Sequence, residues 1–81
     1  MSYFVYIVQC SDDTLYTGIS TDVKRRLQEH NSSDKGAKYT KVRRPVKLVY
    51  SESSQSRSSA TKREMLIKKL SREKKQELIN A

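Results

Sequence analysis

The chain has no second cysteine. Cys10 stands alone among 81 residues, which excludes an intramolecular disulfide and a thiolate metal cluster and fits a reducing compartment. No apolar run approaches the roughly 20 residues needed to cross a bilayer, and the segment from Met1 to Val8 lacks the basic n-region and long apolar h-region of a secretory signal. The expectation is a soluble, cytoplasmic protein with no membrane partner. Acidic residues are also scarce, 9 Asp plus Glu against 17 Lys plus Arg, a formal net charge of +8. Such an excess either serves solubility or meets an anionic partner, and its density in so small a body favours the partner. Length is limiting as well. Eighty-one residues leave room for one domain, 1–81, and a chain of this size buries only roughly 60% of its unfolded surface. A deep pocket for a large cofactor is therefore not expected. A site on an open surface, suited to a polymeric substrate, is.

Residues Tyr3 to Gln9 form a run of aromatic and β-branched side chains that reads as a strand buried on both faces or nearly so. Ser11-Asp12-Asp13-Thr14 is turn-like, and Leu15-Tyr16-Thr17-Gly18 resumes β-type residues, giving a hairpin. Gly18 is expected to end the second strand, at a tight bend or a close backbone approach. Ser20-Thr21-Asp22 offers N-caps for a helix reaching about Asn31. In that helix Val23, Arg26, Leu27 and His30 share one stripe, while Lys24, Arg25, Gln28 and Glu29 point elsewhere. An arginine on an apolar stripe is unusual. Asn31 to Arg44 is long and polar, and long loops in compact domains are often functional. Val46 to Tyr50 alternates as a third strand, Ser51 to Ser59 is serine-rich with Ser56 or Ser58 as a cap, and a helix follows over about Ser59–Lys69. Its apolar side is read as Ala60, Leu66, Ile67 and Leu70, with Glu64 at the margin. Ser71 recaps a terminal helix, Arg72 to Ala81, anchored by Leu78 and Ile79. The order β-β-α-β-α-α describes an α+β protein with a three-stranded, largely antiparallel sheet flanked by helices.

Phe4-Val5-Tyr6, Tyr16-Thr17-Gly18, Ser20, Asp22, Arg26, Leu27 and His30, followed downstream by Ala60, Glu64, Ile67 and Lys68, resemble in order and spacing the signature of the GIY-YIG nuclease superfamily. The Gly36-Ala37-Lys38-Tyr39-Thr40 loop and the serine-rich entry to the Glu64 helix are similar to its small bacterial single-domain branch, labelled UPF0213 or YhbQ-like. Phe4 replaces the glycine of "GIY", Thr17 the isoleucine of "YIG", and Ile19 stands where some members carry lysine. The resemblance implies the GIY-YIG endonuclease fold and hydrolysis of a phosphodiester with one divalent metal ion, Mg²⁺ or Mn²⁺, weakly bound without substrate. It implies Tyr16 as general base with Tyr6 beside it, Arg26 gripping the phosphate, His30 bonding near the phosphate or tuning a tyrosine, and Glu64 as metal ligand. A phenol with a reference pKa near 10 would need positive charge nearby to act so. Taken singly, the same residues have structural readings: Tyr6 and Tyr16 as core tyrosines, Arg26 and Glu64 as an ion pair joining two helices, His30 as a packing residue, Gly18 as a packing glycine.

Lys24, Arg25, Lys38, Lys41 and Arg43 are expected to track a nucleic-acid backbone beside the site, giving salt-dependent affinity. Tyr39 either stacks on a base or folds over the core. The basic residues of the C-terminal helices read as partly a solvated face. The leading expectation is a monomeric, metal-dependent DNA endonuclease or exonuclease of repair or recombination, DNA being favoured over RNA. The alternative is a non-catalytic nucleic-acid-binding module acting with a partner protein.

Overall fold

The computed structural model describes residues 2–81. Three strands, β1 (Tyr3–Gln9), β2 (Leu15–Ser20) and β3 (Lys47–Ser54), form one sheet in the order β2-β1-β3, and both pairings are antiparallel. Helix α1 (Val23–Ser32) and a single turn, α2 (Lys38–Lys41), lie between β2 and β3, and α3 (Arg57–Lys69) and α4 (Arg72–Asn80) follow. Among the described residues no helix is long and apolar enough to cross a membrane.

The central strand explains the layering. Side chains of a strand alternate between faces, and β1 is apolar on both, so each face needs its own cover. Val5 and Ile7 pack with Ala60 and Ile67 of α3, and Leu78 and Ile79 of α4 close that side. Tyr6, Val8 and Cys10 face the other way and pack with Val46 and with Val23 and Leu27 of α1. Helices α1, α3 and α4 start at side-chain caps: Asp22 accepts from the Arg25 N–H, Ser56 from the Ser59 N–H, and Ser71 from the Lys74 N–H.

Four sequence expectations are corrected here. β3 runs on to Ser54, four residues past the expected Tyr50, because Ser51 to Ser54 pair with Tyr6 to Tyr3 through the backbone and need no hydrophobic signature. The register shifts between Ile7, opposite Tyr50, and Val8, opposite Leu48. Gly18 does not end β2 but lies within it, opposite Tyr6. The segment from Asn31 to Arg44 is not all loop, since it contains α2. On α3, Ala60 and Ile67 are buried as expected, whereas Leu66 and Leu70 are exposed, the packed stripe being narrower than the apolar one.

Candidate active site

The Tyr6 side chain crosses from β1 toward β2, passing over Gly18. A Cβ on Gly18 would lie 2.5 Å from Tyr6 Oη, so the glycine is required by a side chain and not by a bend. Tyr6 Oη is 2.8 Å from His30 Nε2. The other ring nitrogen of His30, Nδ1, is 2.8 Å from Thr40 Oγ1, and the Thr40 hydroxyl donates to the Ala37 carbonyl at 2.9 Å. His30 and Thr40 are fully buried and Tyr6 nearly so. Buried polar groups of this kind persist only when bonded to one another. Burial pushes the Tyr6 phenol up to about 12, against the pull of the Arg26 guanidinium and with further upward push from Tyr16 and Glu64. Burial likewise lowers His30 to about 4, aided by Arg26, so at neutral pH the imidazole is uncharged.

Arg26 is half-buried one turn before His30. Its Nη1 donates to Glu29 Oε1 at 2.9 Å and to the Lys35 carbonyl at 2.7 Å. Burial opposes its charge, but hydrogen bonding to Glu29 and Tyr6 outweighs this and keeps it protonated. Both Nη1 hydrogens are thereby fixed, so Nε and Nη2 serve Tyr6 and any further acceptor. Helical phase points Glu29 away from the stripe, but it is partly buried, and Arg26 holds its carboxyl below the usual carboxylate range. The sequence signal for it was the i,i+3 spacing from Arg26. An Arg26–Glu64 ion pair is not formed: Glu64 instead meets Lys68 at 3.5 Å. Glu64 stands near enough to Tyr6 to disfavour its ionisation, and α3 carries it past β1 and β2.

Tyr16 contributes ring contacts. It meets the edge of His30 at a centroid distance of 5.4 Å and stacks on Tyr39 at 5.8 Å. Tyr39 is thus folded onto the site, and the Arg43 guanidinium covers its ring at 3.9 Å. Arg43 is also bonded to Asp12 Oδ2 at 3.0 Å and to the Tyr39 carbonyl at 2.9 Å. Arg43 thus carries a paired charge, and its side chain ties the α2 segment to the hairpin. Lys24, Arg25, Lys38 and Lys41 are exposed, Arg25 touching Glu29 only at 3.9 Å. Two other residues escaped the sequence reading. Arg44 caps α1 by donating to the carbonyls of Glu29, His30 and Ser33, and Asn31 exchanges two hydrogen bonds with the Val46 backbone at 2.9 and 2.7 Å. Both are long-range contacts that leave no local pattern.

Among the described residues no three His, Cys, Asp or Glu side chains come together to hold a metal ion. Of the carboxylates near Tyr6 and Arg26, Glu29 is bonded to Arg26, and Glu64 is the one the resemblance offers to a metal. That fits a hard divalent cation of the Mg²⁺ type, which keeps several waters and takes its remaining oxygens from substrate phosphate. It does not fit a soft or tightly caged metal. A cavity of about 270 Å³ opens at the other end of β1 between Gln9, Cys10, Asp13 and Val46 and contains none of these residues.

Tyr6, His30 and Arg26 thus meet where the β1–β2 hairpin packs on α1, and Glu64 approaches Tyr6 from α3. Residues 2–77 match the model of the GIY-YIG catalytic domain, and the chain belongs to that family. It is 60% identical over 80 residues to a UPF0213 protein of Desulfotalea psychrophila, covering 99% of this chain and 73% of that one. It is 58% identical over 78 residues to a UPF0213 protein of Staphylococcus aureus, covering 96% and 94%. The solution NMR structure of a UPF0213 protein from Bacillus halodurans superposes with a TM-score of 0.63 at 45% identity, over 99% of this chain and 84% of that one. A protein from E. faecalis superposes at 0.68 and 41% identity with the same coverage.

Proposed function

We propose that this protein is a metal-dependent phosphodiesterase that binds and cuts DNA, in the service of repair or recombination, with Tyr6, His30, Arg26 and Glu64 as its working residues. The observation that carries the reading is the buried hydrogen bond between Tyr6 Oη and His30 Nε2 at 2.8 Å beside a guanidinium. A structural tyrosine does not require a glycine opposite it, a desolvated imidazole and a half-committed arginine together.

Each residue has a task in hydrolysis. The free edge of the Arg26 guanidinium matches two phosphate oxygens and would hold the charge that grows on them in the transition state. Glu64 would hold the metal ion, which supplies Lewis-acid stabilisation of the phosphate and a more acidic water. The attacking water gives its proton to Tyr6 Oη while Tyr6 passes its own to His30 Nε2. Moving that proton in the resting protein, from a phenol at about 12 to an imidazole at about 4, is uphill by on the order of 10 kcal/mol. The transfer therefore belongs to the transition state, when an anionic phosphate opposes the cations that help depress His30. Tyr16, which the resemblance suggested as the base, is assigned here the role of walling the His30 ring. Lys24, Arg25, Lys38 and Lys41 supply backbone contacts without sequence preference.

The test is incubation of pure protein with labelled single-stranded, duplex and branched DNA, and with RNA, in Mg²⁺ or Mn²⁺ against an EDTA control. Metal-dependent cleavage supports the proposal and identifies the substrate. Salt-sensitive binding with no cleavage of any substrate favours a binding module that works with a partner.

A further inference from the structure

The turn α2 buries the wrong residue for a stabilising element. Thr40 is fully buried, while the neighbouring Val42 is 80% exposed. A segment packed only for stability would bury the valine, since burying a hydroxyl must be offset by hydrogen bonds whereas burying a methyl is favourable outright. What Thr40 meets in the interior is His30 Nδ1.

The directions of the hydrogen bonds follow from the ends of the chain. Tyr6 is 2% exposed, and the one acceptor within hydrogen-bonding distance of its hydroxyl among the described residues is His30 Nε2, the Arg26 guanidinium beside it being a donor only. If Tyr6 donates to Nε2, a neutral His30 carries its hydrogen on Nδ1 and must give it to Thr40 Oγ1. Thr40 then directs its own hydrogen to the Ala37 carbonyl, at 2.9 Å, a carbonyl that also receives the Thr40 and Lys41 backbone N–H groups. The opposite arrangement would have Tyr6 accept from both His30 and Arg26 and leave a buried hydroxyl hydrogen with no partner. Gly36 permits the approach: a Cβ there would lie 2.7 Å from the Glu29 carbonyl and 3.1 Å from His30 Cα, pushing the α2 segment off α1.

We propose that Thr40 is a positioning residue for the hydrolysis: its buried hydroxyl accepts the His30 Nδ1 hydrogen and so keeps Nε2 free to receive a proton from Tyr6. The proposal rests on the hydrolytic reading above. The same segment presents the Lys35 carbonyl to Arg26 and Tyr39 to Tyr16, so one loop sets the attitude of three site residues. Thr40 acts only through His30.

His30 is the only histidine of the chain, so histidine-selective ¹⁵N NMR reads one imidazole, without metal or substrate. The wild type should show the Nδ1–H tautomer. Thr40→Ser, which keeps the hydroxyl, should preserve both the tautomer and cleavage. Thr40→Val, of the same shape but with no acceptor, should shift the ring toward Nε2–H and lower cleavage by roughly 10- to 100-fold, as loss of a partner that orients a functional histidine commonly does. An Nε2–H ring in the wild type overturns the proposal, as does a Thr40→Val protein with unchanged tautomer and rate. Should Thr40→Val fail to fold, the wild-type and Thr40→Ser spectra still decide it. An Nδ1–H wild type that cleaves nothing counts against the hydrolytic reading and leaves the tautomer assignment standing.

Discussion

The β-carbon that Gly18 lacks would sit 2.5 Å from the hydroxyl oxygen of Tyr6 and 2.7 Å from its Cζ. Tyr6 cannot yield cheaply, because its ring is buried and its hydroxyl is bonded to His30. Gly18→Ala is therefore expected to cost about 1–3 kcal/mol, as overpacking does, and to displace the phenol from His30. Urea unfolding measures the first effect. A cleavage assay at a temperature where the variant is folded measures the second, and activity there should be lost.

Tyr6→Phe separates the hydroxyl from the ring. Packing is kept, and the His30 acceptor is left unmatched at a cost of about 1–2 kcal/mol, while hydrolysis should fall by at least about a hundredfold, the contribution typical of a positioned proton-transfer group. Tyr16→Phe leaves the ring contacts with His30 and Tyr39 in place and should retain much more activity. Rates of the two variants compared at saturating substrate test the order, and a Tyr16→Phe loss equal to that of Tyr6→Phe would move the base to Tyr16.

Stability should fall with acid before any carboxylate titrates. His30 is lowered in the folded protein to about 4 by burial, against an ordinary value near 6.5. The unfolded chain therefore binds a proton that the folded chain refuses. The stabilisation is complete above about pH 6.5 and is lost as pH falls toward 4, by up to roughly 3 kcal/mol. Glu29, whose folded value Arg26 depresses, contributes stability that is present above about pH 4.5 and lost below it, a lower window. Urea unfolding across pH 4 to 7 should show the upper decline in the wild type and not in His30→Gln.

Two kinds of basic residue should behave differently. Lys38 and Lys41 are exposed on α2, so their alanine variants should keep the fold, weaken DNA binding uniformly and reduce the salt slope by about one each. Arg43 holds Asp12 and the ring and carbonyl of Tyr39. Arg43→Ala should instead lower stability by about 1 kcal/mol and loosen Tyr39 from Tyr16, which titration of binding against salt and thermal unfolding will distinguish.

Much of this architecture is written locally. The run Tyr3 to Gln9, the start of a second strand at Leu15, the cap Ser71 and the anchors Leu78 and Ile79 are read from neighbours in sequence, and the structure uses them as read, with Asp22 and Ser56 the caps taken from the candidates offered. What was hidden depends on contacts distant in the chain. Ser51 to Ser54 are strand because β1 offers backbone partners, and Arg44 and Asn31 matter because of what lies 11 to 15 residues before or after them. Helical phase placed Arg26 and His30 inward but misjudged Glu29, since a long carboxylate can curl back along its own helix to an arginine. Thr40 belongs to the loop that carries the resemblance, but nothing local marks it for burial, because a threonine in a polar loop is ordinary until it is found under a histidine.

The central claim is that Glu64, Arg26 and the Tyr6–His30 pair form one hydrolytic site. The most direct measurement is the single-turnover cleavage rate of labelled DNA as Mg²⁺ or Mn²⁺ is raised, for the wild type, Glu64→Gln and Arg26→Ala, with folding checked by circular dichroism. The account predicts saturable metal dependence in the wild type and loss of cleavage in both folded variants, with most DNA affinity retained. Undiminished cleavage by folded Glu64→Gln, or a wild-type rate indifferent to EDTA, would contradict it.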